Sequence, residues 1–76
     1  MNGYLRIDTA LANAVRALED VSDSPRLDAE LLLARALDVA RSYLFAHPDD
    51  EMDPAASERF REALLQRIEG KPMAYI

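Results

Sequence analysis

The chain contains no cysteine, and its only glycines are Gly3 and Gly70. Without cysteine, neither a disulfide nor a thiolate metal site can form. Two glycines so far apart exclude a glycine-rich phosphate-binding loop. No apolar run approaches the roughly 20 residues of a membrane span. The opening MNGYLRID lacks the basic and apolar regions of a secretory signal, so the cytoplasm is the expected location. Basic side chains are also scarce. Nine lysines and arginines face fourteen aspartates and glutamates, a net charge of −5. That sign opposes neutralisation of phosphates, and no direct nucleic-acid partner is expected.

What the sequence does hold is apolar surface. Half of its 76 residues are apolar and 30% are charged, a balance that suits one folded domain and argues against disorder. A chain of this size buries only about 60% of its unfolded surface, which leaves little room for a sizeable enzyme pocket.

The apolar residues repeat with helical spacing. Ile7, Leu11, Val15 and Leu18 fall on one face of a helix expected over about 8–20, with Asp8 or Thr9 as its N-cap. Ser22, Asp23 and Ser24 then mark a turn. Ser24 as N-cap and Pro25 at the first helical position begin a second helix, whose apolar residues Leu27, Ala29, Leu31, Leu32, Leu33, Ala34, Ala36 and Leu37 spread around its circumference. Such a helix is expected at the centre of the fold, packed from several sides. Tyr43 to Ala46 predict a short third helix stopped at His47 by Pro48. Asp53 and Pro54 repeat the cap-then-proline signal, and Phe60, Leu64 and Ile68 form a stripe ended by Gly70. Ala56, Ala63 and Leu65 widen it. The other face of this last helix, with Glu58, Arg59, Arg61, Glu62, Arg67 and Glu69, reads as solvated, with weak pairs such as Glu58 to Arg61 and Arg59 to Glu62. The expected architecture is all-α: a small bundle of four to five helices with a short extended C-terminal tail.

Few residues suit catalysis. His47, the only histidine, falls at a helix end, where its imidazole is expected to bond a terminal carbonyl. Asp49, Glu51 and Asp53 alternate like the first ligands of a calcium loop, but Pro54 and Phe60 occupy the positions where glycine and a bidentate glutamate are needed. A solvated acidic loop ahead of a helix N-terminus is the better account, and no metal is expected. Asp23–Ser24 before a helix resembles the phosphopantetheine attachment site of acyl carrier proteins, but that family follows the serine with leucine where Pro25 stands here. A carrier modified at Ser24, or a general interaction module, is therefore the alternative reading.

Taken together, SPRLDAELLL from Ser24 to Leu33 and RIEGKPMAYI from Arg67 to Ile76 resemble the N-terminal region of bacterial release factor glutamine methyltransferases, the HemK/PrmC type. The family's S-P-R-x-D-A-E-x-L-L helix is matched by Ser24, Pro25, Arg26, Asp28, Ala29, Glu30, Leu32 and Leu33. Its G-x-P-x-A-Y-I junction is matched by Gly70, Pro72, Ala74, Tyr75 and Ile76.

The resemblance implies an enzyme that transfers a methyl group from S-adenosylmethionine to the glutamine of the Gly-Gly-Gln loop of peptide chain release factors. It implies that residues 1–69 form a helical substrate-recognition domain and that 70–76 begin an interdomain linker. The catalytic Rossmann-like domain, with its glycine-rich loop and Asn-Pro-Pro-Tyr motif, is absent from the sequence. By this reading the chain holds no catalytic or cofactor-binding residue, and its role is to help grip the release factor. Arg26 and Arg41, charged and near helix starts, are the candidate partner-binding residues; a surface ion pair, or a stem covering apolar surface, is the ordinary role for each. Met73 to Ile76 have strand character, and with no partner strand the tail is expected to be frayed or loosely packed.

Overall fold

A computed structural model describes residues 5–76. Its helices are α1 (Ile7–Leu18), α2 (Pro25–Leu37), α3 (Arg41–Ala46) and α4 (Pro54–Ile68), followed by a single 3-10 turn at Met73–Tyr75. The all-α expectation holds, and no strand occurs among the described residues. α2 is the hub: α1, α3 and α4 all pack on it, and α4 also meets α1. Ala29 and Leu33 are fully withdrawn from water, and Leu32 nearly so. Around them lie Ile7, Leu11, Leu18, Leu44, Met52 and Phe60, all buried. The apolar ring around α2 is incomplete, because Leu27 and Leu31 are exposed at 42% and 37%. Leu65 of α4 is exposed as well.

The helix starts differ in how their free N–H groups are satisfied. α4 follows the local rule: the Asp53 side chain accepts from the Ala56 amide at 2.8 Å, and Pro54 sits at the first position. α1 does not. Its N-cap is Arg6, with no side-chain cap bond, in place of the expected Asp8 or Thr9. The amides of Ile7 and Asp8 instead donate to the carbonyls of Asp50 and Pro48 at 2.9 and 2.8 Å. The acidic loop thus lies across the start of α1, and an isolated antiparallel bridge between Arg6 and Glu51 fixes it there.

At α2, Pro25 occupies the first turn as expected, but the Ser24 hydroxyl makes no cap bond. Ser22 organises this turn: its hydroxyl accepts from the Ser24 amide at 3.0 Å and donates to Asp28 at 2.6 Å.

Two of the helices, α2 and α4, end on left-handed residues. Asp38 closes α2 at φ 58°, and the Val39 amide reaches back to the Ala34 carbonyl at 3.0 Å. Gly70 closes α4 at φ 102°, and the Lys71 amide reaches the Gln66 carbonyl at 3.1 Å. Beyond it the tail is not a frayed strand. The Tyr75 and Ile76 amides bond the carbonyls of Pro72 and Met73. Residues three apart fall on one side of a 3-10 turn, and Met73 and Ile76 use that spacing to pack against the core. Local hydrogen bonds satisfy the backbone that an unpaired strand would leave open.

Candidate functional site

Asp28 and Glu30 stand two residues apart on α2, which turns their side chains about 200° from one another. Both are buried, at 8% and 4% exposure. A carboxylate in such a setting needs charged partners, and each has them. Asp28 faces α4, where Arg67 Nε donates to its Oδ2 at 3.1 Å. Glu30 faces α3: Arg41 donates to its Oε1 from Nε and Nη2 at 3.2 and 2.9 Å, while Arg26, one turn earlier on α2, donates to Oε2 at 2.7 Å. Burial opposes the ionisation of Glu30, but the two guanidiniums outweigh it and hold its carboxyl below the usual range. Among the described residues no buried side-chain nitrogen or oxygen lacks a partner.

The two candidate arginines are therefore brought together on one carboxylate. They are not consumed by it. The Arg26 and Arg41 side chains stay 61% and 46% exposed. Arg26 commits only Nε to Glu30, leaving both of its terminal nitrogens free of that bridge. Two positive charges meet one negative charge, so the cluster carries a net +1 on a chain of −5.

Two arginines read as solvated in the sequence serve the fold instead. Arg67 joins the Asp28 bridge. Arg59 does not pair with Glu62; its Nε and Nη2 donate to the Ala36 carbonyl at 3.0 and 2.8 Å, satisfying one of the free carbonyls at the end of α2. The Glu58 to Arg61 pair is present at 3.6 Å. Among the described residues His47 finds no carbonyl to bond through its ring. It stacks on Tyr43 with centroids 4.2 Å apart, and its Nδ1 lies 3.8 Å from Asp50. The Tyr43 hydroxyl donates to Asp50 at 2.8 Å, which raises the phenol above its ordinary value.

The sequence carried a signal for these bridges: two acids inside the run LDAELLLA, which otherwise reads as core, call for basic partners on neighbouring helices. For Arg26 the four-residue spacing to Glu30 on one helix is such a signal; for Arg41 and Arg67, on other helices, no spacing names the partner.

Two surface grooves complete the picture. One, of about 400 Å³, lies between α2, α4 and the tail and is lined by Arg35, Arg59, Glu62, Gln66 and Tyr75 among others. The other, of about 420 Å³, lies between α1 and α4 and is mainly apolar, with Ala10, Ala14, Met52, Phe60 and Leu64 in its walls. Among the described residues no group of three or more histidine, aspartate or glutamate side chains is placed to hold a metal ion. Among the described residues no helix is long and apolar enough to cross a membrane.

Comparison with known proteins accounts for the shared segments. No solved structure matches significantly. Among curated relatives, the release factor glutamine methyltransferase of Coxiella burnetii is 39% identical over 72 residues, covering 95% of this chain and 26% of the relative. That of Koribacter versatilis is 38% identical over 73 residues with the same coverage. That of Moorella thermoacetica is 41% identical over 68 residues, 88% of this chain and 24% of the relative. The chain thus spans about a quarter of the length of these relatives. The family model for the PrmC N-terminal domain matches residues 9–76, and the chain belongs to that family.

Proposed function

We propose that this chain is the substrate-holding part of a protein methyltransferase that modifies the glutamine of the Gly-Gly-Gln motif in peptide chain release factors. Transfer of the methyl group from S-adenosylmethionine is the work of the catalytic domain, which the longer relatives have room for, and this domain contributes no reacting group. The observation that carries the reading is the match of 95% of the chain to one quarter of proteins named release factor glutamine methyltransferase. The polar side chains are consistent with it, since the buried acids accept from arginines in bridges within α2 and from α2 to α3 and α4. An enzyme acting on one glutamine of a large folded protein gains selectivity from contacts remote from the reacting amide. A helical domain with a partly exposed basic cluster suits that task, and the compartment of translation, the cytoplasm, is where it would act.

The test compares the whole enzyme with a version lacking residues 1–76, on two substrates: an intact release factor and a short Gly-Gly-Gln peptide. If the domain holds substrate, its removal lowers kcat/KM for the intact factor by about tenfold or more and leaves the peptide reaction nearly unchanged. Equal losses on both would assign the domain to support of the catalytic half alone.

A further inference from the structure

We propose that the Arg26–Glu30–Arg41 bridge, with exposed Leu27, Leu31 and Phe45 beside it, is a docking face for a release-factor segment that carries carboxylates next to apolar side chains. The inference rests on the substrate-holding reading and names the face and the chemistry it recognises. Leu27 and Leu31 lie one turn apart on α2, and Phe45 lies one turn beyond Arg41 on α3. These three are exposed at 42%, 37% and 54%. None of the three belongs to the buried core.

The charged part is prepared for a partner. Glu30 is buried and fixed by α2, so it holds both guanidiniums in place before anything binds. Arginine side chains ordinarily lose much rotamer freedom on binding; two that are already oriented lose less. Their uncommitted N–H groups remain in water, and planar guanidinium groups match carboxylates in geometry. The rest of the chain is acidic, so this net-positive cluster gives an acidic segment a local attraction that the protein as a whole does not. The apolar neighbours then supply the desolvated contact that holds an interface together, with the charges at its edge.

The experiment is titration of the isotopically labelled chain with a full-length release factor, followed by amide chemical shifts at low and moderate salt. Shift changes centred on residues 26–31 and 41–45, weakened about tenfold or more by the exposed-site pair Leu27→Ser and Phe45→Ser, are expected. Affinity is also expected to fall as salt rises. Arg26→Gln with Arg41→Gln should weaken binding similarly. Because that pair strips a buried carboxylate of its partners, the serine pair, which touches no bridge, decides the matter if the glutamine variant unfolds. Binding that maps to the α1–α4 groove, insensitive to the serine pair and to salt, would overturn this face and leave the substrate-holding reading intact. No shift change at any concentration would overturn that reading itself.

Discussion

Arg67 donates to Asp28 across 39 positions of sequence, and their side chains are only 16% and 11% exposed. The bridge pins the end of α4 to the start of α2, while Ser22 completes the carboxylate's shell from the preceding turn. Removing one partner strands the other charge in a poorly solvated place. Asp28→Asn or Arg67→Met alone should cost about 2–4 kcal/mol, a little below the fully buried range. The double variant should cost less than the sum by about 1–3 kcal/mol, the sign of direct coupling, as read from urea unfolding. Strict additivity would mean that the bridge contributes nothing.

Glu30 gives the domain a defined response to acid. Its folded carboxyl is held below the ordinary glutamate value by Arg26 and Arg41, so the folded state binds its proton less readily than the unfolded chain. The associated stability is fully present above about pH 4.3, the ordinary glutamate value, and is lost as pH falls through the lower folded value. Glu30→Gln should therefore lower stability at pH 7 by about 1–2 kcal/mol and flatten its decline below about pH 4. Thermal unfolding of both proteins from pH 7 to pH 3 would show the two curves converging toward acid.

Arg59 tests whether a side chain on the outer face of α4 stabilises the end of α2. Its two bonds to the Ala36 carbonyl place a positive group at the negative end of that helix. Arg59→Ala should cost about 1–2 kcal/mol, and Arg59→Lys should recover part of it. Arg61→Ala, whose partner Glu58 lies on the exposed surface, should stay within about 0.5 kcal/mol.

How much of this was legible depended on the range of the interaction. Pro25, Pro54, Asp53 and Gly70 act within a turn of their own position, and the helix limits they imply agree with the structure. The start of α1 departs from the local capping pattern because its amides are satisfied by the carbonyls of Pro48 and Asp50, far along the chain. No local pattern encodes such a partner. Arg59 and Arg67 read as solvated for the same reason: helical spacing places a side chain on a face but does not say how far a long guanidinium reaches. The tail's apolar and aromatic residues read as strand by composition, and the 3-10 turn they form follows from the core beneath Met73 and Ile76, which no local pattern displays. Of the candidate site, Arg26 stands four residues before Glu30 on one helix and so is legible as its partner, whereas the arrival of Arg41 on the same carboxylate depends on the crossing of α2 and α3.

The leucine triplet of α2 offers a test of depth at constant chemistry. Leu32 and Leu33 are 1% and 0% exposed and Leu31 is 37% exposed. Leu33→Ala should lose about 2–5 kcal/mol, a large share of the stability of a domain this small. Leu31→Ala should lose about 0.5 kcal/mol or less, because its side chain already meets water. Chemical denaturation of the two variants should show midpoints well apart, and similar losses would mean that Leu31 is covered.

The two left-handed helix ends, Asp38 at φ 58° and Gly70 at φ 102°, predict opposite effects from opposite substitutions. A β-carbon is tolerated poorly at positive φ, and at Asp38 the cost is compounded by a negative charge beside the negative end of α2. Asp38→Gly removes both penalties but frees the unfolded chain, so the net gain should be about 0.5–1 kcal/mol. At Gly70 nothing lies within 4 Å of where a β-carbon would stand, so Gly70→Ala meets no steric contact and its cost is backbone strain alone. That cost should be about 1–2 kcal/mol. The residue after Gly70 closes the helix, its amide bonded to the Gln66 carbonyl. Amide exchange at Lys71 should therefore quicken in Gly70→Ala by more than the global loss of stability explains, while Asp38→Gly slows exchange throughout the core. An unstrained Gly70→Ala, equal to the parent in both melting and exchange, would show that α4 can end without a left-handed residue.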